Sequence, residues 1–264
     1  ALTVTLGSLR RLVDFDRSMR PAEDKYAAPG AVTAAAGATP NASAPHETPI
    51  RPSEWRGADS LPQRPRGWGE EKKAIGFGEE LYGKRVGIVA ASMTGRAYMR
   101  LLLPFGCDVL VYDPYLSDAR AAELGVRKAA DLGDLMATCD IVSNHAPTTP
   151  ETNGLISAAM LARLRDGALF VNTARAGAID YQALTAELQA GRIRAALDVF
   201  PKEPLDDASP LRYLPNVSLS PHVAGATVES RRRLGSTMID EIVRFFAGQP
   251  LRYGVTAAQL ATMA

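Results

Sequence analysis

The stretch Lys84-Arg-Val-Gly-Ile-Val-Ala-Ala-Ser-Met-Thr-Gly-Arg96 runs from an apolar, β-branched strand through a tight turn into a helix, and the next strand ends at Asp113. This is the arrangement that holds a dinucleotide: the pyrophosphate rests on the helix N-terminus, and the ribose hydroxyls bond an acid one strand away. The glycine fingerprint G-x-G-x-x-G is altered. Ala90, Ser92 and Gly95 stand at its glycine positions, so only the third, which permits close helix–strand packing, is kept. Ala90 and Ser92 add few atoms, and the helix dipole and backbone donors remain, so binding is predicted to be weakened or reshaped rather than abolished. A carboxylate at Asp113 accepts hydrogen bonds from the ribose and repels a 2′-phosphate, which predicts NAD over NADP.

Outward from this stretch, short β-branched runs alternate with amphipathic segments, the mark of a parallel sheet with crossover helices. Strands are expected at 85–89, 109–112, 141–144, 169–173, 195–199 and 217–220. Ser157 is expected to cap a helix stopping at Gly167, and Asp180 one stopping at Gly191. A last helix should span 227–246, with Ile239, Ile242, Val243 and Phe246 on one face and Gly248 and Pro250 ending it. Ahead of the sheet, Leu2, Leu6, Leu9 and Val13 share a helical face. From Pro21 to about Arg66 the chain turns to Ala, Pro, Gly, Thr and Ser with almost no apolar periodicity, which predicts a flexible insertion and linker over 21–80 and leaves His46 as a solvated linker residue.

With 264 residues and 46% hydrophobic content, the chain can bury a large core. Thirty basic against 29 acidic side chains leave a net charge of +1, so no global field draws it to nucleic acid or an anionic membrane. No apolar run approaches the roughly 20 residues that span a bilayer. Two cysteines, Cys107 and Cys139, each within an apolar stretch, fit reduced thiols of a cytoplasmic protein. The chain starts at Ala without an initiator Met, as if it began within something larger.

Three segments bring polar groups to the ends of apolar strands, where open α/β sheets bind ligands: Val171-Asn-Thr-Ala-Arg175-Ala-Gly, Leu197-Asp198-Val-Phe-Pro-Lys-Glu203-Pro and Ser220-Pro-His222-Val-Ala-Gly-Ala. With Asp140-Ile-Val-Ser-Asn-His-Ala-Pro-Thr-Thr-Pro-Glu-Thr, this ordered set resembles the D-2-hydroxyacid dehydrogenase family from Leu81 to the C-terminus. The resemblance implies a Rossmann-type doubly wound parallel sheet (α/β) at 81–226, a crossover helix and tail at 227–264, and an incomplete flavodoxin-like substrate domain. Of that domain, residues 1–20 are expected to be a remnant helix. The resemblance further implies NAD as cofactor, a small 2-keto or 2-hydroxy acid as substrate and a homodimer, with no metal.

Carried onto this chain, the resemblance makes Arg175 the anchor of the substrate carboxylate and keto oxygen, through its planar fork. It makes His222 the general acid–base and Glu203 the carboxylate that orients it. Ser92, Met93, Thr94, Gly95, Asp113, Ala146, Thr173, Ala174 and Gly225, with Arg175 and His222, take positions around the cofactor, and Asp198 stands near the nicotinamide amide. His145 reads as a structural histidine. A protein of the same fold that senses NAD(H) without turnover, or an inactive truncated relative, is the alternative.

Overall fold

The computed structural model describes residues 1–9 and 78–257. The 21–77 stretch of the expected insertion, His46 included, and residues 10–20 of the first helix lie outside them.

Among the described residues the strands form one seven-stranded, all-parallel sheet in the order β3-β2-β1-β4-β5-β6-β7. They are β1 (Arg85–Val89), β2 (Asp108–Tyr112), β3 (Arg127–Lys128), β4 (Ile141–Asn144), β5 (Leu169–Asn172), β6 (Arg194–Leu197) and β7 (Val217–Leu219). The six expected strands are present within two residues, and the two-residue edge strand β3 is additional. Strand order reverses between β1 and β4, so the crevice beyond their carboxyl ends is where a ligand fits.

Alternate side chains of each strand feed two cores, one per face. On one, Val89, Val142, Phe170 and Leu197 pack with α4 (Leu132–Thr138), α5 (Ala158–Leu161) and α6 (Tyr181–Gln189). On the other, Ile88, Val111, Leu169 and Val171 pack with α1 (Leu2–Leu9), α2 (Met93–Leu102) and α3 (Asp118–Glu123). Gly87 lets α4 settle on β1: a Cβ there would lie 2.5 Å from a methyl carbon of Leu135. Asp180 caps α6 by accepting from Ala183 N, as expected, but Ser157 makes no side-chain cap, and its helix α5 ends at Leu161 rather than at Gly167.

The described part of the first helix, α1, packs on the sheet. Leu9 is 1% exposed within the sheet's own core, and Thr5 Oγ1 hydrogen-bonds the Tyr98 hydroxyl of α2 at 3.0 Å. A fully buried Leu is worth roughly 2–3 kcal/mol of transfer free energy, enough to hold a short helix whose propensity alone would not. Cys107 and Cys139 are unpaired, and burial pushes their thiols up to about 11 and about 12.

The last helix, α7 (Val228–Phe246), starts with a capping box between Thr227 and Ser230. Its apolar face exists, but no described residue covers it: Ile239, Ile242, Val243 and Phe246 are 53–83% exposed.

Candidate active site

The loops at the carboxyl ends of the strands converge as the reversal of strand order requires. The turn after β1 holds Ala90 at φ 74°, the left-handed region the first fingerprint glycine serves. The turn has kept its shape with an alanine in it, at a strain of roughly 1–2 kcal/mol. Asp113, beyond β2, reaches across and accepts Ala91 N at 2.7 Å and Tyr115 N at 2.8 Å. Ser92 caps α2, its Oγ accepting Gly95 N at 3.2 Å, so a side-chain oxygen takes one of the donors an anion at this terminus would seek. Gly95 is required by contact: a Cβ would stand 2.5 Å from the Ala90 carbonyl oxygen.

These local facts give an expected result. Ala90→Gly should relieve the left-handed strain, offset in part by glycine's greater unfolded-state entropy, for a net gain of up to about 1 kcal/mol. Thermal unfolding should shift upward by roughly 2–4 °C. A lower midpoint would mean that the alanine methyl packs more than it strains.

Beyond β5, Thr173, Ala174 and Arg175 join Ser92, Met93, Thr94 and Ala146 around a cavity of about 690 Å³. Arg175 is exposed, with Nη1 donating to the Ala174 carbonyl at 2.9 Å. Its backbone is fixed from below by residues the motif reading passed over. Asn144 and Asn172, register partners at the ends of β4 and β5, are both fully buried. Asn172 Nδ2 donates to the Arg175 carbonyl at 3.2 Å and to the Tyr181 hydroxyl at 3.1 Å. Asn144 Nδ2 donates to Asn172 Oδ1 at 3.1 Å, and Asn144 Oδ1 accepts Ala146 N at 3.1 Å. Tyr181 in turn donates to the Val199 carbonyl. The signal available in sequence was an asparagine ending each of two otherwise mostly apolar strands.

Beyond β6 and β7 the Nδ1 of His222 lies 2.6 Å from a Glu203 oxygen, and Phe200 N donates to the other oxygen at 2.9 Å. The imidazole, first, and then the Phe200 N–H hold the Glu203 carboxyl below the usual range, so it stays an anion beside the ring. His222 itself adopts φ 55°, a left-handed backbone in a non-glycine residue. Asp198 supplies the reason. Its carbonyl accepts His222 N at 2.8 Å, and its carboxylate, 2% exposed, accepts Val223 N at 2.9 Å, Ala224 N at 3.0 Å and the Ser220 hydroxyl. Asp198 thus binds the loop that aims His222. Gly225 lies beside Thr94 and Thr173 at a smaller hollow of about 260 Å³. Glu203 and His222 border a separate cavity of about 510 Å³ with Phe200 and Leu205 on its wall. His145 is 4% exposed, bonded at Nε2 to the Ser143 hydroxyl at 2.9 Å, with its ring 5.3 Å from that of Tyr98.

Residues 58–224 match the NAD binding domain of the D-isomer specific 2-hydroxyacid dehydrogenases. The chain belongs to this family. It is 41% identical over 179 residues to the D-3-phosphoglycerate dehydrogenase of Mycobacterium tuberculosis, covering 67% of this chain and 34% of that protein. It therefore spans about a third of the length of that relative. A solved structure from Thermus thermophilus superposes with a TM-score of 0.68 at 25% identity, over 97% of this chain and 66% of that one. A D-lactate dehydrogenase solved with NAD+ from Lactobacillus jensenii gives a TM-score of 0.61 at 25% identity, over 68% and 58% of the two chains.

The family's cofactor is NAD, and the residues here fit it. A helix N-terminus opens into the large cavity, an acid ends β2 beside the turn, and Gly95 gives the close approach the turn needs. Among the described residues, no cluster of His, Cys, Asp or Glu could hold a metal ion.

Proposed function

We propose that a protein carrying this chain interconverts a small 2-keto acid and a D-2-hydroxy acid with NAD. The 2.6 Å contact between His222 and Glu203 carries the reading, because it is the oriented acid–base that carbonyl reduction needs. Bound NAD supplies or accepts the hydride. Arg175 offers a fork of donors to the substrate carboxylate and keto oxygen at the mouth of the large cavity. His222 gives a proton to the carbonyl oxygen in reduction and takes it back in oxidation, while Glu203 keeps the ring turned and balances its charge. Asp198 holds the loop in its left-handed shape, and the Asn144–Asn172 pair keeps the Arg175 backbone from drifting.

The same reading makes the protein a cytoplasmic homodimer without nucleic-acid or membrane partners. Its supports are a net charge of +1, two unpaired cysteines, no helix among the described residues long and apolar enough to cross a membrane, and the uncovered apolar face of α7.

A second reading has an observation of its own: His222 and Arg175 both stand open to solvent in this chain. Hydride transfer needs reactants held in near-attack geometry away from water. The 264-residue chain by itself is therefore expected to bind NADH weakly, on its altered turn, and to reduce 2-keto acids slowly or not at all. Calorimetric titration with NADH, beside an absorbance assay with glyoxylate, hydroxypyruvate and pyruvate, tests both readings. No NADH binding would remove the cofactor assignment, and rapid turnover would show that this chain positions the substrate unaided.

A further inference from the structure

We infer that the chain's own C-terminal strap, residues 251–255, forms a wall of the dinucleotide site, with the Tyr253 ring placed against the nicotinamide half of the cofactor. The inference rests on the reading of the large cavity as the NAD site and adds a residue that no motif marks.

After α7, Gly248 turns the chain at φ 66°, and two side chains about one helical turn apart clamp the strap beyond it. Glu241 accepts Arg252 N and Tyr253 N, each at 3.0 Å, and Arg244 Nε donates to the Pro250 carbonyl at 2.8 Å. The strap so held runs to the cavity of about 690 Å³, where Tyr253, Gly254 and Val255 stand across from the first turn of α2 and the Arg175 loop. The cavity persists with the strap in place, so the strap bounds the site without filling it. Ala146, Thr173, Ala174 and Arg175 share this cavity, whereas Asp113, the ribose acid, does not border it. The ring that enters it is therefore the nicotinamide. Tyr253 borders the cavity and is 62% exposed, which leaves its ring room to meet the cofactor's planar ring. Offset stacking of two such rings is the arrangement their quadrupoles favour. It also compensates the altered turn, where Ser92 Oγ takes a donor from the pyrophosphate.

The test is fluorescence titration of the 264-residue chain with NADH and, in parallel, calorimetry with ADP-ribose, which shares everything but the nicotinamide. Tyr253→Ala should weaken NADH about three- to tenfold, the scale of an aromatic pair, and leave ADP-ribose unchanged. Tyr253→Phe should keep NADH affinity, and Glu241→Ala, which unclamps the strap, should lose it in the same direction as Tyr253→Ala. The melting temperature should hold in the Tyr253 variants, because the side chain is exposed. Equal losses for both ligands, or none for either, would overturn the strap's role while leaving the cofactor site standing. Failure of the unmodified chain to bind NADH would overturn both.

Discussion

In an enzyme carrying this chain, His222→Gln slows turnover by roughly 10²–10⁴-fold and leaves NADH binding nearly unchanged. The ring touches Glu203 and borders the 510 Å³ cavity, not the 690 Å³ cavity that the first turn of α2 shares with Arg175. On the proposed reading, loss of the proton donor therefore falls on the chemical step. Arg175→Lys should cost more than a charge-conserving change suggests, since an ammonium cannot bond a carboxylate and a keto oxygen through one planar fork. On the proposed reading it should raise KM and lower kcat together, because the same fork would meet the substrate before and during reaction. The backbone under Arg175 is bonded by Asn172 and remains in place, so the loss is one of side-chain chemistry. Steady-state kinetics of both variants decide the matter, and a near-normal kcat in His222→Gln would remove that residue from the mechanism.

The second large effect is on stability in acid. His145 is buried beside Tyr98 and Ser143, and desolvation pushes its pKa down to about 3 from an ordinary 6.5. A group whose folded pKa is depressed in this way binds its proton more readily in the unfolded chain. Stability is therefore full above about pH 6.5 and falls as pH drops toward 3. The slope approaches about 1.4 kcal/mol per pH unit, or roughly 2–3 kcal/mol between pH 6.5 and about 4.5. Urea unfolding at several pH values should show this slope, and His145→Gln should remove about one proton's worth of it. Because that variant also loses a packed ring, the NMR titration of His145 in the unmodified chain is the independent check. An imidazole signal moving with a midpoint near pH 6.5 would refute the assignment.

Much of this molecule is legible along the chain. Strand runs from Arg85 to Leu219 were readable from β-branched stretches bounded by turns, and α6 and α7 from the Asp180 cap, the apolar spacing and Gly248, because each signal acts within a few residues. The resemblance of the ordered motifs to the family marked Arg175, Glu203 and His222 as candidates, and the altered fingerprint marked the position of the cofactor turn. The left-handed φ of Ala90 is what its place in that fingerprint demands.

Other features were settled only by the way the segments lie against one another. Asn144 and Asn172 are 28 residues apart and meet because β4 and β5 pair in one register, which no local pattern records. Asp198 and the loop at 220–224 meet through the pairing of β6 with β7, and that contact, rather than any property of His222, gives the histidine its left-handed backbone. Amphipathic spacing identified the first helix but could not say which surface it covers; Leu9 and Thr5 settle that by burying against Tyr98 and the sheet. The spacing of Ile239, Ile242, Val243 and Phe246 likewise declared an apolar face and could not say whether anything lies on it. Periodicity and turn chemistry are properties of neighbouring residues and belong to the sequence; partners across a sheet, a loop or a core depend on the register and packing of distant segments, which tertiary structure alone determines.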